Sequence, residues 1–217
     1  MAARRWVCLD VGETLIDETR VWSAWADELG VSRLTFMAAL GAAIERGGEH
    51  RDAFTIVERG DWREHEGRIA AAYGGFRPDD LYTDALPAIE ALRGRGYRLA
   101  ILANQPARRT AELKALGVRT EVMAMSEELG VSKPDAAFFR RLLELAGDPD
   151  PADVAHVGDR IDNDVRPSAA AGMRAVWLRR GPWGFIAREA PEDAALIVRS
   201  LDELVQRIDE CWPDRGA

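Results

Sequence analysis

Aspartates placed where apolar runs end are the residues best suited to do chemistry in this chain. Asp10 closes the run Trp6-Val7-Cys8-Leu9 and opens Val11-Gly12-Glu13-Thr14-Leu15. A carboxylate where a hydrophobic strand meets a turn can be a nucleophile, a metal ligand, or simply a turn former or helix cap. A second junction of this kind follows Val154-Ala155-His156-Val157, in Gly158-Asp159-Arg160-Ile161-Asp162-Asn163-Asp164. Asp159 and Asp164 stand five apart, so the turn between them could bring either carboxylate towards Asp10. Carboxylates gathered around a small site suit Mg²⁺, a hard cation that takes oxygen ligands and keeps several waters. Between the junctions lies Lys133-Pro134. Proline holds the residue before it extended, which can aim the Lys133 ammonium off the helix expected at 136–146 and towards a site.

These junctions need strands to end on and helices to separate them. Short apolar runs at 6–9, 99–103, 121–125, 154–157 and 175–178 are each followed by a turn. The stretches 86–95, 107–116, 136–146 and 167–171 read as helices, the longer ones with apolar residues near helical spacing. Glycines at 96, 117, 147 and 172 stand where these helices should stop. This alternation predicts an α/β fold, a mostly parallel sheet covered by helices on both faces. From 19 to 82 the alternation fails: helix-like segments at 21–29, 34–45 and 62–73 come without a convincing strand. We read this stretch as a helical insertion over the mouth of the sheet, dividing the chain into a core of 1–18 and 83–217 and an insertion of 19–82. In open α/β sheets ligands bind beyond the carboxyl ends of the strands, so the insertion would roof the site. At the far end, 196–199 could form a short strand before a helix beginning at Leu201, with Ser200 and Glu203 at capping-box spacing.

Composition narrows the setting. The chain has 217 residues, enough for one substantial core or for a core with a smaller insertion. The apolar stretch after Arg4-Arg5 is broken by Asp10 and lacks a small-residue cleavage site, and no apolar run approaches 18 residues. Neither a signal peptide nor a membrane span is therefore expected, and the expected compartment is the cytoplasm. A net charge of −8 argues against nucleic acid as a partner. It still permits a small anionic substrate, because a local cation can overrule the global sign. Cys8 and Cys211 form neither a disulfide framework nor a zinc spacing, and Cys8 reads as a small buried hydrophobe.

Asp10 with Thr14-Leu15, Lys133-Pro134, and Gly158-Asp159 through Asp164 together resemble the motifs of the haloacid dehalogenase superfamily of phosphotransferases and phosphatases, from Asp10 to about Gly184. The resemblance implies a Rossmann-like core with a small helical cap inserted after the first strand. It also implies that Asp10 attacks phosphorus to give an aspartyl-phosphate that water hydrolyses. Mg²⁺ would be held by Asp10, the Gly12 carbonyl and Asp159, with Asp164 a near partner; Asp162 falls off the Gly-Asp-x-x-x-x-Asp pattern. Lys133 would offset repulsion between the nucleophile and the phosphoryl group. The family's second motif would end at 99–104, where Ala103 replaces a Ser or Thr that donates to phosphate. That loses one hydrogen bond to a charged group, of order 1.5–3 kcal/mol. Asn104 keeps a backbone N–H and an amide for the substrate.

Position 12 departs further from the pattern. Phosphatases of the family carry there an Asp that protonates the leaving oxygen and later activates water, and Gly12 removes it at an expected cost of roughly 10²–10⁴-fold for poor leaving groups. Glu13 is the adjacent candidate to stand in, although neighbouring side chains in a tight turn usually diverge. Arg160, inside the aspartate loop, is expected to make a salt bridge or contact substrate phosphate. Trp22, Trp25, Trp62 and Phe36 read as core of the insertion, Arg108-Arg109 and Arg179-Arg180 as solvated faces, and His156 as a packed core residue. The leading expectation is a Mg²⁺-dependent phosphatase acting on a small phosphorylated metabolite, as a monomer or homodimer. The alternatives are a 2-haloacid dehalogenase-type hydrolase and a degenerate relative that binds a ligand or partner.

Overall fold

The computed structural model describes residues 5–213. Arg4 and the outermost residues of the 1–18 and 83–217 segments lie outside the described residues.

The apolar run Trp6–Leu9 forms β1, buried at all four positions. A strand buried on both faces belongs at the centre of a parallel sheet, and β1 sits there. The insertion follows as α1 (Thr19–Glu28), α2 (Arg33–Glu45), α3 (Asp52–Ile56) and α4 (Arg63–Tyr73). The alternating part resumes with α5 (Ala85–Gly94), β2 (Arg98–Ala103), α6 (Arg108–Ala115), β3 (Val122–Met125), α7 (Ser126–Leu129) and α8 (Ala136–Leu145). It ends with β4 (Val154–Gly158), α9 (Arg166–Ala170), β5 (Arg174–Leu178), α10 (Gly181–Ile186), β6 (Leu196–Val198) and α11 (Leu201–Arg207).

The strands lie in the order β3-β2-β1-β4-β5-β6. All five pairings are parallel, so the sheet is wholly parallel, with 196–198 as its sixth strand. Successive side chains of a strand point to opposite faces. Val7 and Leu9 accordingly enter one apolar cluster with Ala88, Ile89 and Leu92 of α5 and Leu204 of α11. Trp6 and Cys8 enter another, with Phe138, Phe139 and Leu142 of α8. Cys8 is fully buried and its thiol pKa is pushed up by that burial, as a small hydrophobe should be.

The chain leaves β1 towards β2 on one side and reaches β4 on the other, so the strand order reverses between β1 and β4. This switch point leaves a crevice beyond the strand ends. Asp10 and Asp159 leave the sheet from these two neighbouring strands, since Leu9 is paired with Val157.

The insertion has its own apolar cluster, built on Trp22, Trp25, Phe36, Leu40 and Phe54, with Trp62 packed on its edge. Trp25 meets Phe54 edge-on at 4.6 Å. The aromatics expected to be core are core, and the expected helices lie within two residues of those found. The short α3 was not anticipated, because five residues are too few to show a helical period. Both connections to the insertion run side by side: Asp17 N–H donates to Asp80 and Tyr82 N–H to Leu15, at 2.8 and 3.0 Å. Arg20 fastens this root, with its Nε 2.8 Å from Asp80 and its guanidinium stacked on Tyr73.

Candidate active site

Each residue of the site is delivered by the end of a strand or the start of a helix. Asp10 follows β1, and its N–H still donates to Val157 of β4 at 2.9 Å. Asp159 and Asp164 follow β4, the latter within a tight helical turn at Ile161–Val165. Gly158 permits this turn, because a Cβ there would lie 2.2 Å from the Asp164 carboxyl carbon. Lys133 comes from between α7 and α8, where the Asp135 side chain caps α8 by accepting from the Ala137 N–H at 2.8 Å. One carboxylate oxygen from each of Asp10, Asp159 and Asp164 lies within 4.8 Å of the others, and all three residues are buried.

Lys133 is the cation of this cluster, its Nζ 2.7 Å from Asp10 Oδ1 and 2.5 Å from Asp164 Oδ1. Burial alone would lower its pKa, but the two carboxylates win and raise it, so it is an ammonium throughout the neutral range. Asp164 is raised by burial and lowered more by Lys133 and His156, which hold it well below the usual carboxylate range. His156 Nε2 lies 3.1 Å from Asp164 Oδ1 and the Arg160 N–H donates to Asp164 Oδ2 at 3.1 Å. His156 is thus both the packed residue expected, edge-on to Phe139, and a support for Asp164 that the sequence did not reveal.

Asp159 has the opposite environment. Burial raises its pKa well above normal, and the charges of Asp164, Asp10, Glu13 and Glu18 push the same way. Asp10 is also raised, by burial first, with Lys133 opposing. Three carboxylates facing a single ammonium leave an excess of negative charge in a low-dielectric site. An all-oxygen donor set with that excess fits a hard divalent cation.

The second tier positions these groups. The Asn104 amide clasps the backbone of Lys133, donating to its carbonyl and accepting from its N–H, both at 2.8 Å. Its side chain therefore orients Lys133. Ala103 is buried in the core cluster and offers only a methyl group. The Arg160 guanidinium pairs with Asp162 at 2.6 Å and with Glu49 of the insertion at 3.1 Å, and stacks on Trp183. Of the two roles expected for it, salt bridging is the one its contacts fill.

Glu13 is engaged by partners other than Asp10. Its φ is +50°, and its carboxylate accepts from the Glu18 N–H at 2.9 Å and from the Tyr82 hydroxyl at 2.5 Å. Glu18, at the root of α1, was not singled out from the sequence, yet its carboxylate stands against Gly12. Burial and the charges of Glu13 and Asp10 push its pKa up to about 8. Two arginines correct the expectation of solvated faces. Arg109 is buried against Phe76 and pairs with Glu112, and Arg180 is buried, pairing with Asp84 and donating to the Thr14 carbonyl at 3.0 Å. Arginine runs look alike in sequence whether solvated or buried, because what covers them, Phe76 over Arg109 and Asp84 beside Arg180, comes from elsewhere in the chain. The cavity over this cluster holds about 750 Å³ and is lined from both parts of the chain, including Asp10, Lys133, Asp159, Glu18, Trp22 and Trp183.

The model of the haloacid dehalogenase-like hydrolases matches residues 5–172, spanning the elements that deliver Asp10, Lys133, Asp159 and Asp164. The chain belongs to that family. Among haloacid dehalogenase-like relatives, a phosphoserine phosphatase of Thermus thermophilus is 32% identical over 170 residues, covering 72% of this chain and 68% of the relative. A glyceraldehyde 3-phosphate phosphatase of Methanopyrus kandleri is 29% identical over 151 residues, 64% of this chain and 63% of that one. The chain thus matches about two thirds of the length of these relatives. The solved structure of the haloacid dehalogenase-type hydrolase YfnB of Bacillus subtilis superposes with a TM-score of 0.74 at 18% identity, over 95% of this chain and 99% of that one, and shares its fold. Among the described residues, no helix is long and apolar enough to cross a membrane.

Proposed function

We propose that this chain is a Mg²⁺-dependent phosphatase acting on a small phosphorylated substrate through an aspartyl-phosphate on Asp10. The observation that carries the reading is the pairing of Asp10 with a buried ammonium, Lys133, beside two further carboxylates at the switch point of the sheet. The phosphatase relatives, acting on different small phosphate esters by name, support the substrate class. Asp10, Asp159 and the Gly12 carbonyl would hold Mg²⁺, with Asp164 behind them, and the ion would supply positive charge that draws the phosphoryl oxygens towards the nucleophile.

Asp10 Oδ attacks phosphorus, and Lys133 lowers the repulsion between carboxylate and phosphate. Asn104 keeps the Lys133 backbone in place and presents its own N–H to the phosphoryl group. Segment 19–82 acts as a cap over a core of 1–18 and 83–217, and its contact through Glu49 and Arg160 shields the site from bulk water. A metal-free dehalogenase reading has less support, because it leaves Asp159 as a buried carboxylate with no cation to offset it. The test is phosphate release from 2,4-dinitrophenyl phosphate by wild type and Asp10→Asn. Loss of turnover in the variant is expected, and equal turnover by both would remove Asp10 as nucleophile.

A further inference from the structure

Displacement at phosphorus expels an alkoxide or phenoxide unless its oxygen is protonated, and Gly12 stands where relatives of the family carry a carboxyl for this. Of the other acidic and basic groups near Asp10, Asp159 is assigned to Mg²⁺ and the rest are committed. Lys133 is held between Asp10 and Asp164, Asp164 is shared by Lys133, His156 and the Arg160 N–H, and both Glu13 oxygens accept hydrogen bonds. Glu18 lines the same cavity from the root of α1. A Cβ built on Gly12 would lie 2.6 Å from Glu18 Oε1 and 3.0 Å from its Cδ. The backbone at Gly12 is not in the left-handed region, so conformation does not demand glycine there. What a side chain at position 12 would meet is the carboxyl end of Glu18, which occupies that space. The intervening turn makes this possible: Leu15 and Ile16 N–H both donate to the Val11 carbonyl at 2.9 Å, Glu13 N–H to Ile16 at 2.8 Å, and Glu18 N–H to Glu13.

Given Asp10 as nucleophile, we propose that Glu18 supplies the carboxyl that Gly12 lacks, entering the same space from six residues further along the chain. As the Asp10 Oδ–P bond forms and the ester P–O bond breaks, the leaving oxygen takes the electron pair and the proton of the Glu18 carboxyl. It departs as an alcohol. The Glu18 carboxylate then takes a proton from water as the water oxygen bonds to phosphorus and the Asp10 Oδ–P bond breaks. Inorganic phosphate leaves, and both side chains return to their starting forms.

Turnover of phenyl phosphate, whose leaving group needs the proton, is compared with that of 2,4-dinitrophenyl phosphate, whose leaving group does not, in Mg²⁺. Glu18→Gln keeps the shape of the side chain. It should lower kcat on phenyl phosphate by roughly 10²–10⁴-fold and on the dinitrophenyl ester by less than about tenfold. Gly12→Asp combined with Glu18→Ala returns a carboxyl to the vacated space. It should raise phenyl phosphate turnover at least about tenfold above Glu18→Ala alone. An equal fall on both esters, no fall on either, or no recovery in the double variant overturns the assignment. Asp10→Asn run beside them separates the two readings. If it stays active the nucleophile reading fails, whereas an inactive Asp10→Asn with a fully active Glu18→Gln removes Glu18 alone. Should Glu18→Gln not fold, the double variant decides by the presence or absence of recovery.

Discussion

Lys133 and Asp159 show how strongly individual side chains in this site depend on charge they do not carry themselves. Replacing Lys133 by Met leaves Asp10 and Asp164 buried without their cation. Breaking a buried pair in this way costs about 3–5 kcal/mol, so urea unfolding should show a loss of that size alongside loss of turnover. Asp159 should behave in reverse. Its folded pKa is raised, so the folded protein binds its proton more tightly than the unfolded chain does. The associated stability is fully present below the ordinary carboxylate pKa near 4 and is lost as pH rises through the folded value. In chelator, Asp159→Asn should therefore be more stable than wild type at pH 8, with the difference shrinking towards pH 4. Mg²⁺ should reverse the ranking by stabilising wild type, by about 2.7 kcal/mol at a hundredfold excess over Kd, and leaving the variant unmoved. Thermal unfolding with and without Mg²⁺ reads both effects; a wild type indifferent to Mg²⁺ would contradict the metal assignment.

At the scale of elements, local signals written in the sequence were reliable where they act within a few residues. Ser200 caps α11, accepting from the Glu203 N–H at 3.0 Å, as its spacing foretold. The Glu203 carboxylate reaches back to the N–H of Arg199, one residue ahead of the cap, so the box closes one position early. Ser200→Ala should cost about 0.5–2 kcal/mol in urea unfolding without changing kcat, since Ser200 follows the edge strand β6 and is not among the residues lining the cavity over Asp10. The bridge between Arg160 and Glu49 joins the loop after β4 to the loop after α2. Glu49 is more than half exposed, so the pair is screened, and Glu49→Gln should change stability by less than about 1 kcal/mol. Its effect should fall instead on KM, and shrink in high salt, if the bridge helps the roof close over substrate.

Across the whole molecule, the apolar cluster of the insertion is separate from those on the two faces of the sheet. Phe36 is fully buried in it, and Phe36→Ala should cost about 3–5 kcal/mol. Hydrogen exchange should then show residues 19–73 losing protection while β1 and β4 keep theirs. Equal loss in both would mean that they open as one unit. The sequence by itself determined the strands, most helices, the α/β class and the three aspartates with Lys133, because apolar periodicity and strand-end motifs are local. Only the tertiary structure decided that Asn104 holds Lys133, that His156 supports Asp164, that Arg109 and Arg180 are buried and paired, and that Glu18 fills the space at Gly12. Most of these contacts join distant residues, and Glu18 reaches Gly12 only through the folded 11–16 turn. Spacing along the chain cannot encode such meetings, since they are fixed by strand order, by the path of the turns and by the electrostatic cost of leaving any of these charges alone.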